Sequence, residues 1–209
     1  MIVQRPRTLF HLQETEMPTH WYNILHDLPF ELPPDLLPEG TADSALEIKP
    51  QVPLELIRQS IGRQRDVAIP EAISEIYRQW RPTPLYRAIH LEQALQTSAS
   101  IYFKYEGNNS SGSHKLNTAV AQAYYYKRAG IKRLVTGTGA GQWGTALAAA
   151  CHAFGMECKV YMVGTSYAQK PYRKAVMQVY GAEVLPSPSP TTKSGARLLS
   201  QNPQAQTNL

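Results

Sequence analysis

An α/β fold, built on a parallel sheet with helices on both faces, is the class this sequence predicts. Two observations carry that expectation. From residue 86 onward, short segments rich in apolar, β-branched and aromatic residues alternate with longer helical ones, the pattern of strands that return through helices to one sheet. The strand segments are also largely apolar throughout, as parallel strands covered from both sides must be. The prolines agree. Of the 16, 11 lie in residues 1–84 and 5 in 171–209, with none between Leu85 and Lys170.

Residues 1–66 read as an irregular, proline-rich extension, because Pro18, Pro29, Pro33, Pro34, Pro38, Pro50 and Pro53 interrupt it too often for long elements. A short helix is predicted over 54–63. A better one opens at Pro70, which suits a first helical turn, with Ala72, Ile73, Ile76, Tyr77 and Trp80 as its apolar stripe. Arg81-Pro82-Thr83-Pro84-Leu85 is extended, since the residue before each proline is pushed out of the α region. A short helix follows over 91–95, a strand over 100–105 and a turn-rich loop over 108–112. Ser113 is the expected N-cap of a helix over 114–128, which Gly130 closes. Further strands are predicted over 133–136, 158–163 and 183–185. Helices are predicted over 142–154, 168–180 and 192–200, with Gly181 stopping the second of them.

Composition narrows the function. With 43% hydrophobic and 18% charged residues, the 209-residue chain has the makings of a packed core and not of a disordered segment. No apolar run approaches the roughly 20 residues that span a bilayer, and the start has no apolar leader, so a cytoplasmic protein with no membrane role is expected. Cys151 and Cys158 are too few for a disulfide framework or a structural zinc site, and no metal site is expected. They read instead as small buried groups. Charge is uneven: 13 acidic and 9 basic residues up to Glu92 give −4, whereas 3 acidic and 12 basic from Gln93 give +9. The later cations form no run or aromatic-interleaved stripe. A solvated face or an acidic partner explains them better than nucleic acid, which is not an expected partner.

In sheets of this class ligands bind where strands end and helices begin. Two loops qualify. The first, Gly107-Asn108-Asn109-Ser110-Ser111-Gly112-Ser113-His114-Lys115-Leu116-Asn117, puts a lysine in the first turn of a helix. The partial positive charge of a helix N-terminus disfavours a second cation and so favours the neutral amine that Schiff-base chemistry needs. The alternative is an ordinary solvated lysine. The second loop, Thr136-Gly137-Thr138-Gly139-Ala140-Gly141-Gln142-Trp143-Gly144, satisfies G-x-G-x-x-G between a strand and a helix. It lacks the acid a dinucleotide ribose requires at the end of the next strand, and Thr145 stands where a phosphate-binding loop needs lysine. What survives is a row of backbone N–H groups at a helix start, suited to a small anion such as a carboxylate, against the alternative of a merely tight turn.

Gly112-Ser113-His114-Lys115-Leu116-Asn117 and Thr138-Gly139-Ala140-Gly141-Gln142-Trp143-Gly144 together resemble the β chain of tryptophan synthase, in its second, longer-N-terminus type. Trp21-Tyr22-Asn23-Ile24, Arg81-Pro82-Thr83-Pro84-Leu85, Tyr105-Glu106-Gly107, Gln169-Lys170-Pro171-Tyr172-Arg173 and Gly181-Ala182-Glu183-Val184 fit the same family in the same order. The resemblance implies a fold-type II enzyme that uses pyridoxal 5′-phosphate, a lyase of tryptophan biosynthesis that condenses L-serine with indole to L-tryptophan. It implies that Lys115 bonds the cofactor and moves protons at the substrate α-carbon, that His114 lies beside the cofactor phosphate, and that Asn117 contacts the pyridine ring's oxygen. Thr138, Gly139, Ala140, Gly141 and Gln142 would then hold the amino acid's carboxylate.

Two departures from the family pattern stand out. Where the family has a catalytic glutamate immediately before Thr138, this chain has Gly137, which has no proton to transfer. Family members are also about twice as long. Residues 67–209 are therefore expected to be a β-chain-like domain that stops before a C-terminal domain, leaving the second domain incomplete and the phosphate-gripping loop outside it. Three readings follow: the family's lyase; a non-catalytic or split-half remnant that binds a homodimer partner or a complementary C-terminal half; and a nicotinamide-dinucleotide module resting on Gly139, Gly141 and Gly144 alone.

Overall fold

The computed structural model describes residues 7–33 and 52–205; Pro34, Pro38 and Pro50 lie outside the described residues. In chain order the strands and helices are β1 (Leu9–Phe10), β2 (His20–Tyr22), α1 (Leu54–Ile61), β3 (Asp66–Ala68), α2 (Glu71–Tyr77), β4 (Leu85–Arg87), α3 (Ile89–Ala94) and β5 (Tyr102–Lys104). There follow α4 (Lys115–Arg128), β6 (Arg133–Thr138), α5 (Gln142–Ala153), β7 (Glu157–Val163), α6 (Gly164–Gln169), α7 (Pro171–Val179), β8 (Glu183–Ser187) and α8 (Lys193–Gln201).

The α/β class and its parallel sheet are present. Strands β6, β7 and β8 pair in parallel in that order, with Leu134 opposite Cys158 and Val160 opposite Val184. The predicted 100–105 strand, realised as β5, is elsewhere. It pairs antiparallel with β4, which pairs antiparallel with β1, while β2 pairs with β3. The reason lies in the connection. Helix α3 is too short for a crossover, and its Glu92 carboxylate accepts from Arg87 of β4 (3.0 Å) and from the Ile101 N–H beside β5 (2.7 Å), folding the chain back on itself.

Covering of the parallel sheet is uneven among the described residues, full on one face and partial on the other. Partner residues in register share a face, and Leu134, Thr138, Cys158, Val160, Met162 and Val184 on one face are all buried. Helix α5 lies on them. Its run of small residues brings the backbone close, and Ala146, Ala148, Ala150 and Cys151 are fully buried. Helix α4 packs behind α5 through Leu116, Ala119, Val120 and Ala123, and Ile73 and Tyr77 of α2 pack behind α4. On the other face Val135 is 59% exposed, and Tyr161, Val163 and Leu185 are half-buried. The expectation of helices on both faces is met in full on the first face only.

Local departures have local causes. The predicted helix over 168–180 is two helices, α6 and α7, because Pro171 lacks the N–H to continue α6 and instead opens α7 in its first position. Helix α4 starts at Lys115 with His114, not the expected Ser113, in the N-cap position; Ser113, one residue earlier, still accepts the Lys115 N–H on its Oγ (3.2 Å). Cys151 and Cys158 are buried on α5 and β7 as expected.

Candidate active site

The two loops chosen from the sequence meet. Lys115, first residue of α4, reaches Gln142, first residue of α5, and its Nζ donates to Gln142 Oε1 at 3.2 Å. The α4 N-terminus is held from below by the loop that precedes it. The Asn109 amide donates to the carbonyls of Glu106 (2.9 Å) and Ser113 (3.0 Å), and its Oδ1 accepts from the Ser111 N–H and hydroxyl (both 2.9 Å). His114 is exposed at the top of this turn.

Asn117 is the most heavily braced of the singled-out residues. Its carbonyl accepts from the Tyr77 hydroxyl (2.6 Å) and its Oδ1 from Trp80 Nε1 (3.2 Å). Its Nδ2 donates to Glu106 Oε2 (3.0 Å), and Glu106 Oε1 accepts from the Thr83 hydroxyl (2.7 Å). Tyr77 is 2% exposed, and burial pushes its phenol up to about 12.

The glycines of the second loop answer to different demands. A Cβ on Gly144 would sit 2.8 Å from Met177 Sδ and from Val160 Cγ1, so this glycine lets α5 lie tightly on β7. Gly141 has φ +95°, and a Cβ there would also meet Arg173 Cβ at 2.9 Å. Gly139 meets nothing within 4 Å. Two glycines are thus explained by the fold, and the third faces open space next to the α5 N-terminus. Thr138 Oγ1 accepts the Gly144 N–H (3.2 Å), and the Thr145 hydroxyl donates to the Gly141 carbonyl (2.8 Å), fixing the turn from both ends. Trp143 lies back over the strand and donates to the Thr136 hydroxyl (2.9 Å). Gly137 occupies β6 between Thr136 and Thr138, paired with Tyr161.

Residues 76–206 match the family model described as pyridoxal-phosphate dependent enzyme. The chain belongs to that family. Curated relatives agree in kind. The chain is 54% identical over 200 residues to tryptophan synthase beta chain 2 of Aeropyrum pernix, covering 94% of this chain and 44% of the relative. It is 52% identical to the Thermotoga maritima protein of that name, covering 94% and 47%, and 51% identical to that of Methanosarcina mazei, covering 94% and 45%. The chain spans about half the length of the curated relatives it matches. Among solved structures, a pyridoxal 5′-phosphate-dependent aspartate racemase aligns at TM-score 0.46 and 24% identity over 66% of this chain, too distant to add to the fold seen directly.

Pyridoxal phosphate is the cofactor of the family, and the residues present fit one side of it. Lys115 carries an amine at the head of α4, within reach of the α5 N-terminus. Asn117 Nδ2 has one hydrogen engaged with Glu106 and a second to give. The open space at Gly139 is one that a Cβ would fill. The family leaves the dinucleotide reading without support, and β7 runs into Gly164 with no acid at its end. Sequence reasoning missed the bracing group. Tyr77 and Trp80 read as core stripe, Thr83 as part of an extended segment, and Glu106 only as part of a block that fits the family; each makes a polar contact across the fold, invisible to local spacing.

Proposed function

We propose that this chain supplies the lysine-bearing half of a tryptophan synthase β-type site, which condenses L-serine with indole to L-tryptophan in the cytoplasm. In this reading residues 67–209 are its domain, and the family match over 76–206 lies within them. The observation that carries the reading is the Lys115 Nζ to Gln142 Oε1 contact, which brings the amine and the anion-suited loop to one place.

Bound there, pyridoxal phosphate supplies an electron sink for charge developing at the substrate α-carbon. The protein's own groups do the rest. Lys115 holds the cofactor and moves the α-proton. The backbone N–H groups of Gly139, Ala140, Gly141 and Gln142, with Thr138, hold the amino acid carboxylate at the positive end of α5. Asn117 donates to the ring oxygen, and His114 lies by the phosphate. A homodimer partner or a complementary C-terminal half completes the remaining contacts.

Gly137 favours a second reading, a partner-binding member that does not turn over. A positioned acid–base group contributes about 10²–10⁴-fold, and glycine at this place contributes none. Borohydride reduction in the presence of pyridoxal phosphate tests the cofactor claim. A modified peptide containing Lys115, absent from Lys115→Arg, is expected; no adduct sinks the reading. Tryptophan formation with and without a relative's C-terminal half then separates lyase from binder, and a rise with Gly137→Glu marks the missing acid.

A further inference from the structure

Only three carboxylates follow Gln93 in this sequence: Glu106, Glu157 and Glu183. Glu157 pairs with Arg133 (2.6 Å) and Glu183 with Lys159 (3.0 Å). Glu106 belongs to no ion pair among the described residues. Both of its oxygens instead accept from neutral donors, Thr83 on one side and Asn117 on the other. Thr83 is 2% exposed and comes from a segment remote in sequence, and its own carbonyl accepts from Lys104 Nζ. Spending a half-buried carboxylate on an amide and a hydroxyl, in a stretch of chain where 12 cations face three side-chain carboxylates, makes poor sense as a device for stability alone.

The geometry has a specific effect on Asn117. An asparagine amide rotates freely between two similar orientations unless its oxygen and nitrogen are given different partners. Trp80 can only donate and the Glu106 carboxylate can only accept, so the pair admits one orientation, with Nδ2 toward Glu106. We propose that Glu106, backed by Thr83, is a positioning residue that fixes the Asn117 amide so that its second N–H is presented to the cofactor ring's oxygen. A carboxylate behind the donor also polarises the amide. The proposal rests on the cofactor reading above.

The test compares the wild-type chain with Glu106→Ala, Glu106→Gln and a control, Glu157→Ala, which removes a carboxylate that pairs with Arg133 and bonds neither Thr83 nor Asn117. The first readout needs no cofactor. Hydrogen exchange of the Asn117 side-chain amide, assigned by ¹⁵N NMR with Asn117→Asp, is expected to speed up about tenfold in Glu106→Ala and not in Glu157→Ala. Glu106→Gln keeps a carbonyl acceptor and is expected to restore slow exchange in part; it carries the test if the alanine variant does not fold. The second readout is a pyridoxal phosphate titration of the visible band. Glu106→Ala is expected to weaken binding about tenfold and to shift the pH at which the band changes, with neither effect in the control.

Unchanged amide exchange in Glu106→Ala, or an equal change in Glu157→Ala, overturns the proposal. So does an amide that loosens while affinity and band stay as in the wild type. A wild-type chain that forms no adduct, but whose Asn117 amide loosens in Glu106→Ala and Glu106→Gln, overturns the cofactor reading and leaves Glu106 as the group that orients Asn117.

Discussion

Gly139 and Gly144 share one turn but need to be glycine for unrelated reasons. Alanine at 144 forces its methyl onto Met177, Val160 and Thr138, and overpacking of this kind costs about 1–3 kcal/mol. Thermal unfolding is expected to show that loss for Gly144→Ala and almost none for Gly139→Ala. The latter should instead weaken binding of the amino acid substrate, because its methyl would enter the open space that the proposal gives to the carboxylate. Tyr77 offers a pH test. Its phenol has a raised value, so the protonated form stabilises the fold fully below its ordinary 10, and that contribution is lost as pH rises through about 12. Tyr77→Phe leaves the Asn117 carbonyl without its 2.6 Å donor and should cost about 1–3 kcal/mol at neutral pH. Denaturant melts of both proteins between pH 7 and 12 check the two statements together, since the variant lacks the alkaline slope from this residue. At this scale Lys115, Asn117 and the glycines could be singled out from the sequence, because they stand in local motifs. The sequence did not reveal Glu106 or Thr83, whose meaning arises only when α4 and the 81–85 segment are folded together.

Among the elements, the β4–α3–β5 unit depends on one carboxylate. Glu92 is 8% exposed and accepts two bonds from Arg87 and one from the Ile101 N–H. The Arg87 guanidinium and then that N–H hold its carboxyl below the usual range. A depressed carboxylate stabilises the fold above its ordinary value of 4.5, and the contribution is lost as pH falls through the lower folded value. Glu92→Gln is expected to flatten the acid limb of the stability profile below pH 4.5 and to raise amide hydrogen exchange in β4 and β5 first. Long, self-consistent segments such as α4, α5 and β7 were legible in the sequence because propensity, caps and burial agree there. Strands β1 to β4 were not. Two- and three-residue pairings are decided by what lies across from them, and Leu9–Phe10 has no strand pattern of its own.

Taken as one body, the molecule buries both thiols in its best-packed region. Cys151 is fully buried and Cys158 is 5% exposed, and the hydrogen bond with the Cys158 sulfur, then burial, push the Cys151 thiol well above its ordinary range. Both should therefore resist an aromatic disulfide reagent until the α5–β7 layer opens, and then react together, with a rate that follows denaturant as global unfolding does. The family was legible at this scale because several separate blocks of sequence keep their order. The uneven cover of the parallel sheet was not. Apolar content along β7 looks the same whether a second layer of helices lies over Tyr161 and Val163 or not.

That unevenness bears on how the chain behaves at high concentration. With β6 and β8 as its outer strands, the three-stranded sheet presents two unpaired rims among the described residues, and such rims invite strands from other molecules. Arg133 paired with Glu157, and Lys159 with Glu183, put charge across the open face and along both margins. These pairs are exposed or partly so, and are therefore open to screening by salt. Colloidal behaviour should follow: light scattering is expected to rise with sodium chloride for the wild-type chain, and to rise at lower salt when Arg133 and Lys159 are replaced by alanine.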